Sequence, residues 1–370
     1  MLRKWKKQRI NLTENIFFQC LLVCYFFGEL ALPFSKVFGE NIPRNALKPL
    51  AKAENVLSLD KLTAFKVGSD LTVPVQKSIS TNPFITFSGN RYLALSDIIK
   101  SLKCNVISDN GKGSVKITKG GATVQLTAGQ DYILYQTPKI YLSHELKFTS
   151  KSIYVSYDDY LKVLVPLLAI NLVSERTPAL RTIVLDPGHG GKDPGAVNGR
   201  LNFFEKTLAL QIATLLKAEL IKKGYAVVLT RESDVFIDLK DRPAKAKNAD
   251  LFVSIHLNSA TNLSAQGTEI YILKQGKNFC GNAFDPWNLI AAYSILSTFE
   301  KATNFTNRGI KMAEFAVLKS LACPGILVEV GFISNDAEAK KLVDVNFQKK
   351  VIQGLADGIV QYGENLKKKR

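Results

Sequence analysis

Three polar side chains that can bind a metal ion or transfer a proton lie at or near the ends of apolar, strand-like segments in the second half of the chain. His189 ends the segment 183–189, His256 ends the segment 251–256, and Glu329 lies near the end of the segment 326–330. The chain has three histidines, so two of them occupy equivalent positions. Either histidine alone would be interpreted as a structural residue, whereas two at one edge of a sheet favour a metal site.

Glu329 is the most unusual of these residues because apolar side chains flank it in a segment that resembles a central strand. Burying a carboxylate there is costly unless the carboxylate is paired or associated with a metal. A buried salt bridge is the structural interpretation. The functional interpretation is a desolvated carboxylate with a raised pKa, which is what a general base requires.

Glu205 has two interpretations from the sequence. It lies at the start of a predicted helix, where a glutamate can cap the backbone and interact favourably with the helix dipole. That helix must begin after the loop that leaves His189, so Glu205 can also face the edge that carries the histidines. Two histidines and one glutamate form an open catalytic zinc set, with a position left for water or substrate.

The elements that would position these residues alternate between strand and helix. Strands are predicted at 182–185, 226–230, 251–255, 269–273 and 326–330, and helices at 203–223, 287–303 and 347–362. This alternation predicts an α/β domain, residues 181–363, with a mostly parallel sheet and helices on both faces. In such sheets ligands bind beyond the carboxyl ends of the strands, where His189 and His256 are expected.

Six stretches of this domain carry a resemblance to a known family. The domain resembles the catalytic domain of zinc-dependent N-acetylmuramoyl-L-alanine amidases of the third amidase type, along essentially its whole length. The matching stretches are 185–196, 205–210, 229–231, 254–258, 308–311 and 327–332. The resemblance implies a peptidoglycan hydrolase that cleaves the amide bond between N-acetylmuramic acid and L-alanine. It further implies one Zn²⁺ per chain, bound by His189, Glu205 and His256, with Glu329 as the catalytic carboxylate.

Asn258 and Arg231 are expected to contact the substrate, and Asn258 could instead orient His256. Two other classes of protein remain open at this point. A non-catalytic wall-binding relative would share the fold, but it should have lost a metal ligand or Glu329. A zinc peptidase or deacetylase that cuts another envelope amide would share the metal set.

An internal repeat precedes the catalytic domain. The segment 92–102 recurs as 154–164, each copy beginning extended and becoming helical, and a β-hairpin is predicted at 114–118 and 122–126 around Gly120 and Gly121. Residues 84–170 are therefore predicted to form a smaller α+β module, followed by a polar linker at 171–180. This module resembles the copper amine oxidase N-terminal-like domain. The resemblance implies wall binding or placement of the catalytic domain, and no metal is expected there, since His144 is the only histidine in the module.

The first 39 residues are predicted to be a signal peptide or an N-terminal anchor, because a basic start precedes a thirteen-residue apolar run at 16–28. Thirteen residues suit a signal peptide better than the ~20 that span a bilayer. We therefore expect export to the periplasm or cell wall, with membrane association only through this segment. Residues 40–83 are predicted to be a connecting region.

The formal net charge of +17 is concentrated at the ends of the chain, since the first nine and last four residues supply nine of these charges and leave +8 for the rest. The remainder suits either an anionic partner such as peptidoglycan or a merely basic soluble surface. There is no nucleic-acid motif, and residues 364–370 are predicted to be a basic tail.

Two further predictions concern loops. Cys104, Cys280 and Cys323 would remain after signal cleavage, and this odd number argues against a disulfide framework, although Cys280 and Cys323 could pair. Some amidases of this type carry a helix that covers the metal until a partner protein withdraws it. Only residues 274–286 separate the relevant strand and helix here, which is too short for such a cover. No activator protein is therefore expected.

Overall fold

The computed structural model describes residues 83–149, 152–173, 179–274 and 284–369. The predicted signal or anchor segment at 1–39 and residues 40–82 of the connecting region lie outside them. Within the described ranges, no helix combines the length and the apolar character needed to cross a membrane.

The predicted α/β domain is confirmed, and its sheet is mostly parallel. Its strands are β10 (Thr182–Pro187), β11 (Val197–Asn198), β12 (Phe203–Phe204), β13 (Ala226–Leu229), β14 (Leu251–Asn258), β15 (Thr268–Leu273), β16 (Asn307–Ala313) and β17 (Gly325–Phe332). The order β13-β10-β14-β17 is parallel throughout, β15 adds antiparallel to β17, and β16 pairs parallel with β15. β11 and β12 form a separate two-stranded ribbon.

Helices cover both faces of this sheet. The three long helices, Glu205–Lys222, Asp285–Thr303 and Val345–Lys369, pack on the face that carries Ile183 and Val253. The short helices Asp241–Ala244 and Ala316–Lys319 lie on the other face, over a smaller apolar cluster. A further helix spans Asp336–Val343.

The predicted basic tail belongs to the last helix. Val345–Lys369 is continuous, and Leu366 within it is only 2% exposed. Burial of this leucine ties the end of the chain to the core, so residues 364–369 are helical and are not a separate tail.

The N-terminal module has the predicted α+β character. Its strands are β1 (Phe84–Phe87), β2 (Asn90–Ala94), β3 (Asn105–Asp109), β4 (Ser114–Lys119), β5 (Ala122–Thr127), β6 (Tyr132–Tyr135), β7 (Lys139–Tyr141), β8 (Lys147–Thr149) and β9 (Ser152–Ser156). The helix Leu95–Leu102 follows β2, and helical turns spanning Tyr157–Asp159, Tyr160–Leu164 and Val165–Leu168 follow β9. The predicted hairpin is the β4–β5 pair.

One feature of the module was not expected from the sequence. β7 pairs with β16 of the catalytic domain, with Ile140 opposite Ile310, so the two sheets become one sheet of eleven strands. Both isoleucines are fully buried and belong to the same apolar core. The remaining module strands, in the order β1-β2-β9-β8, form a separate sheet.

Candidate metal centre

The three predicted metal ligands meet at the carboxyl edge of the parallel sheet. β10 and β14 are neighbours, with Pro187 opposite Ile255, so the residues that follow them come to the same edge. The Glu205 carboxylate lies between the histidines: its Oε2 is 3.1 Å from His189 Nε2, and its Oε1 is 2.9 Å from His256 Nδ1. One ligand atom from each residue lies within 4.8 Å of the others.

Two glycines allow this close approach. A Cβ on Gly188 would lie 2.4 Å from His256 Cε1, and a Cβ on Gly195 would lie 2.6 Å from Glu205 Oε2. Real Cβ contacts are not this short, so a side chain at either position would displace a member of the cluster. Gly188 and Gly195 are therefore required by the packing of the site.

The charges of the site suit a cation. Burial by itself would raise the pKa of Glu205, but the hydrogen bonds and charges of His189 and His256 hold that pKa well below its usual range. Burial lowers the pKa of His189, but Glu205 and Asp193 together raise it to about 9. A buried, ionised carboxylate between two imidazoles is a donor set that fits a divalent metal such as zinc.

Asp193 is part of this centre and was not predicted. Its Oδ2 lies 2.8 Å from His189 Nδ1, and its Oδ1 accepts a hydrogen bond from the Gly195 backbone at 3.1 Å. A carboxylate that holds the second nitrogen of a metal-binding histidine fixes the orientation of the ring and leaves Nε2 for the metal. The sequence signal for it is a carboxylate four residues after His189.

Glu329 lies beside the three-residue cluster but is not a member of it. Across the sheet it is opposite His256 on one side and Glu269 on the other, so the three side chains share a face. Its Oε2 is buried and has no hydrogen-bond partner in the part of the chain that the structure describes. The pKa of Glu329 is raised to about 7, and burial is the main cause. The charges of Glu205 and Glu269 also raise this pKa, whereas the charge of His256 lowers it.

Asn258 lies at the end of β14, two residues after His256. It is partly buried, and its Nδ2 donates to Glu269 Oε2 at 3.3 Å. This bond places its side chain on the Glu329 side of the cluster.

Arg231 has a different environment from the one predicted. It is 2% exposed, and its guanidinium donates to the backbone carbonyls of Pro187, Gly188, Lys206 and Ser233. These bonds use four of the five N–H groups of the guanidinium. These hydrogen bonds brace the loop that leads to His189, and the expected contact of Arg231 with the substrate stays a prediction.

A second buried arginine was missed by the sequence analysis. Arg242 is 2% exposed and lies 2.8 Å from Asp186, which is fully buried and also accepts hydrogen bonds from Thr230 and Ser254. Arg242 Nη2 also donates to the His189 carbonyl at 2.7 Å. His189 has a left-handed backbone, with φ of 61°, so this contact holds His189 in an uncommon conformation.

The structure describes two cysteines, Cys104 and Cys323, and both are buried free thiols. Burial raises the pKa of Cys323 to about 12. Cys280 lies outside the described residues.

The chain matches two protein families. Residues 183–361 match the N-acetylmuramoyl-L-alanine amidase family, and residues 73–163 match the copper amine oxidase N-terminal domain. The first match includes His189, Glu205 and His256, together with Glu329.

Individual relatives match about half of the chain. The chain is 40% identical over 190 residues to the sporulation-specific N-acetylmuramoyl-L-alanine amidase of Bacillus subtilis, covering 50% of this chain and 69% of that protein. It is 36% identical over 218 residues to the N-acetylmuramoyl-L-alanine amidase AmiC of Neisseria meningitidis, covering 49% of this chain and 52% of that protein. The match therefore spans about half the length of AmiC.

Among solved structures, the catalytic domain of CwlV, an N-acetylmuramoyl-L-alanine amidase from Bacillus (Paenibacillus) polymyxa var. colistinus, is 38% identical to this chain. The superposition has a TM-score of 0.45 and covers 50% of this chain and 99% of that chain.

Proposed function

The chain belongs to the N-acetylmuramoyl-L-alanine amidase family, and on this premise we propose that it hydrolyses the amide bond between N-acetylmuramic acid and the L-alanine of the peptide stem in peptidoglycan. The observation that carries the proposal is the meeting of His189, Glu205 and His256 at one edge of the sheet, with Glu329 on the neighbouring strand. This arrangement keeps a candidate metal-binding set apart from the Glu329 carboxylate, which suits zinc-dependent amide hydrolysis.

His189, Glu205 and His256 would hold one zinc ion per chain. Nε2 of His189, Nδ1 of His256 and the Glu205 carboxylate face one another and offer two nitrogens and one oxygen. When bound, zinc supplies a Lewis acid that polarises the scissile carbonyl and lowers the pKa of water to about 7. Asp193 keeps the His189 ring in the tautomer that presents Nε2.

Glu329 would move the proton. Its partly buried carboxylate, with one oxygen that accepts no hydrogen bond from the described residues, can take a proton from the attacking water and give it to the departing L-alanine amine. In the metal-free protein the pKa of Glu329 is raised to about 7, mainly by burial, which suits a group that both accepts and releases a proton. We keep Asn258 as a substrate contact, since it lies beside His256 and faces the Glu329 side.

The alternatives are less well supported. A non-catalytic relative would lack a ligand or the general base, and this chain retains all four residues. A zinc peptidase or deacetylase would act on other bonds, and the family match does not favour it.

Product analysis on intact sacculi tests the proposal. The purified protein supplied with zinc should release peptides with L-alanine amino termini and leave the glycan strands at full length. Release of shortened glycans, free acetate or peptides cut inside the stem would contradict the proposed bond, and the Glu329→Gln variant is the matched control for contaminating hydrolases.

Since peptidoglycan lies outside the cytoplasm, the proposed substrate also requires export, for which the predicted signal or anchor at 1–39 is the candidate. We also propose, from the length of the 274–286 segment alone, that no activator protein is needed; residues 275–283 of this segment lie outside the described residues.

A further inference from the structure

The junction between β16 and β7 extends the face of the sheet that carries Glu329. Ile310 and Ile140 pair across the junction and point into the core, so the next residues, Lys311 and Tyr141, project to the opposite face. Lys311 Nζ lies 5.7 Å from the centre of the Tyr141 ring. A side chain of the catalytic domain and a side chain of the module therefore meet on one surface.

The surface continues further into the module. Tyr132 is directly opposite Tyr141 on β6, with ring centres 5.8 Å apart, and Lys139 Nζ lies 4.3 Å from the centre of the Tyr132 ring. Lys139 is exposed and both tyrosines are partly exposed. We call Lys311, Tyr141, Tyr132 and Lys139 the tyrosine–lysine strip.

The other end of the strip reaches the reaction centre. Lys311 Nζ lies 2.8 Å from the carboxylate of Glu269, which is the neighbour of Glu329 across the sheet. Arg308 forms an ion pair with the same carboxylate. Two cations thus share one buried anion, which leaves an excess of positive charge beside Glu329.

The tyrosine–lysine strip extends much further from Glu329 than the one amide bond that is cleaved. From β17, which carries Glu329, to β6 there are four steps between neighbouring strands, and at the usual strand spacing this is about 19 Å. Tyrosine rings offer a flat apolar face with a hydroxyl at the edge, which matches the mixed polarity of a sugar ring. The lysines match carboxylates, which peptide stems carry.

We propose that the tyrosine–lysine strip binds a peptidoglycan strand alongside the scissile bond, so that the N-terminal module forms part of the substrate cleft. The inference rests on the proposed function for the identity of the polymer. On this proposal the residues of the strip bind the polymer and take no part in bond cleavage. Mutations in the strip should therefore weaken polymer binding without slowing the cleavage of a small substrate.

The test uses the full chain with both substrates. Tyr132→Ala combined with Lys139→Glu should weaken co-sedimentation with intact sacculi by about tenfold or more in Kd, which corresponds to ~1.4 kcal/mol and is the size expected for losing one stacked ring and one charge. Cleavage of a small soluble muropeptide should stay within about twofold of the parent, because neither residue lies near Glu329 and the lost contacts are those to the longer polymer.

The matched control changes a lysine and an aromatic residue elsewhere in the module. Lys147 and Phe148 lie on β8, in the other sheet, and Phe148 is 46% exposed. Lys147→Glu with Phe148→Ala should leave sacculus binding unchanged. The Tyr132→Phe variant, which keeps the aromatic ring, should also bind sacculi. If the double variant unfolds at a lower temperature than the parent, the single variant Lys139→Glu replaces it in the binding test.

Unchanged sacculus binding in the strip variant, or an equal loss in the β8 control, would overturn the inference. If the parent protein binds sacculi through the strip but fails to cleave the muropeptide, the proposed amidase function fails and the binding surface stands.

Discussion

Replacing Glu329 with glutamine should stabilise the protein while removing its activity. The structure holds a carboxylate whose Oε2 is buried without a hydrogen-bond partner among the described residues. Glutamine has nearly the same shape as glutamate and carries no charge. Loss of the general base should lower turnover by at least ~10².

The gain in stability follows from the pKa of Glu329 in the metal-free protein. Burial raises that pKa from 4.5 to about 7. Below pH 4.5 the group is protonated in both the folded and the unfolded chain, and it has no effect on the free energy of unfolding. Above pH 7 it is ionised in both, and the folded state carries the full penalty, which is about 3 kcal/mol at most. The difference in the free energy of unfolding between Glu329→Gln and the parent should therefore grow from about zero near pH 4 to about 3 kcal/mol near pH 8.

Urea unfolding of chelator-treated protein across this pH range measures the difference. Glu269→Gln is a matched control, because Glu269 is the neighbour of Glu329 across the sheet and is also buried. Burial would raise its pKa, but Lys311, Tyr271 and Arg308 lower it overall. Its ionised form therefore stabilises the folded state, and Glu269→Gln should lose stability at pH 8.

A Glu329→Gln variant that is less stable than the parent at pH 8, or whose advantage does not change with pH, would refute the reasoning. Normal turnover in this variant would refute the role of Glu329 as general base.

Other substitutions test the metal centre and its supports. His189→Ala or His256→Ala should lose the zinc that Glu329→Gln retains at about one ion per chain, as measured by metal analysis after gel filtration, and full retention would remove that residue from the metal set. Arg242→Leu should lower the free energy of unfolding in urea by about 3–5 kcal/mol, because it leaves the buried Asp186 carboxylate without its partner; a loss below about 1 kcal/mol would contradict this. Deleting residues 277–283 should leave sacculus digestion unchanged, whereas a tenfold rise would mean that this segment occludes the site.

Much of the site could be predicted because its signals are local. His189 and His256 each follow an apolar strand, and parallel neighbours bring such positions together whatever the rest of the fold does. Glu329 was identified because a charge within an apolar strand has few explanations. Glu205 had two interpretations, and the structure places it between the histidines.

The buried arginines that support the site could not be predicted, because their partners are distant in sequence. Arg242 lies between Asp241 and Pro243 in a polar stretch, and the sequence of such a stretch resembles an exposed turn. Its burial depends on Asp186, which is distant in sequence and meets it only in the folded chain. The burial of Arg231 was missed for the same reason, since the backbone carbonyls that it binds carry no sequence signal.

The pairing of β7 with β16 also determines where the sheet ends. A catalytic domain without its module would present β16 as an edge strand with unpaired backbone groups, and such edges promote aggregation by recruiting other strands. With the module present, the sheet of the described residues continues to β3, where it ends beside the exposed Val106 and Ile107. A shortened protein that begins after the module is therefore expected to express poorly and to precipitate, whatever the integrity of its metal site.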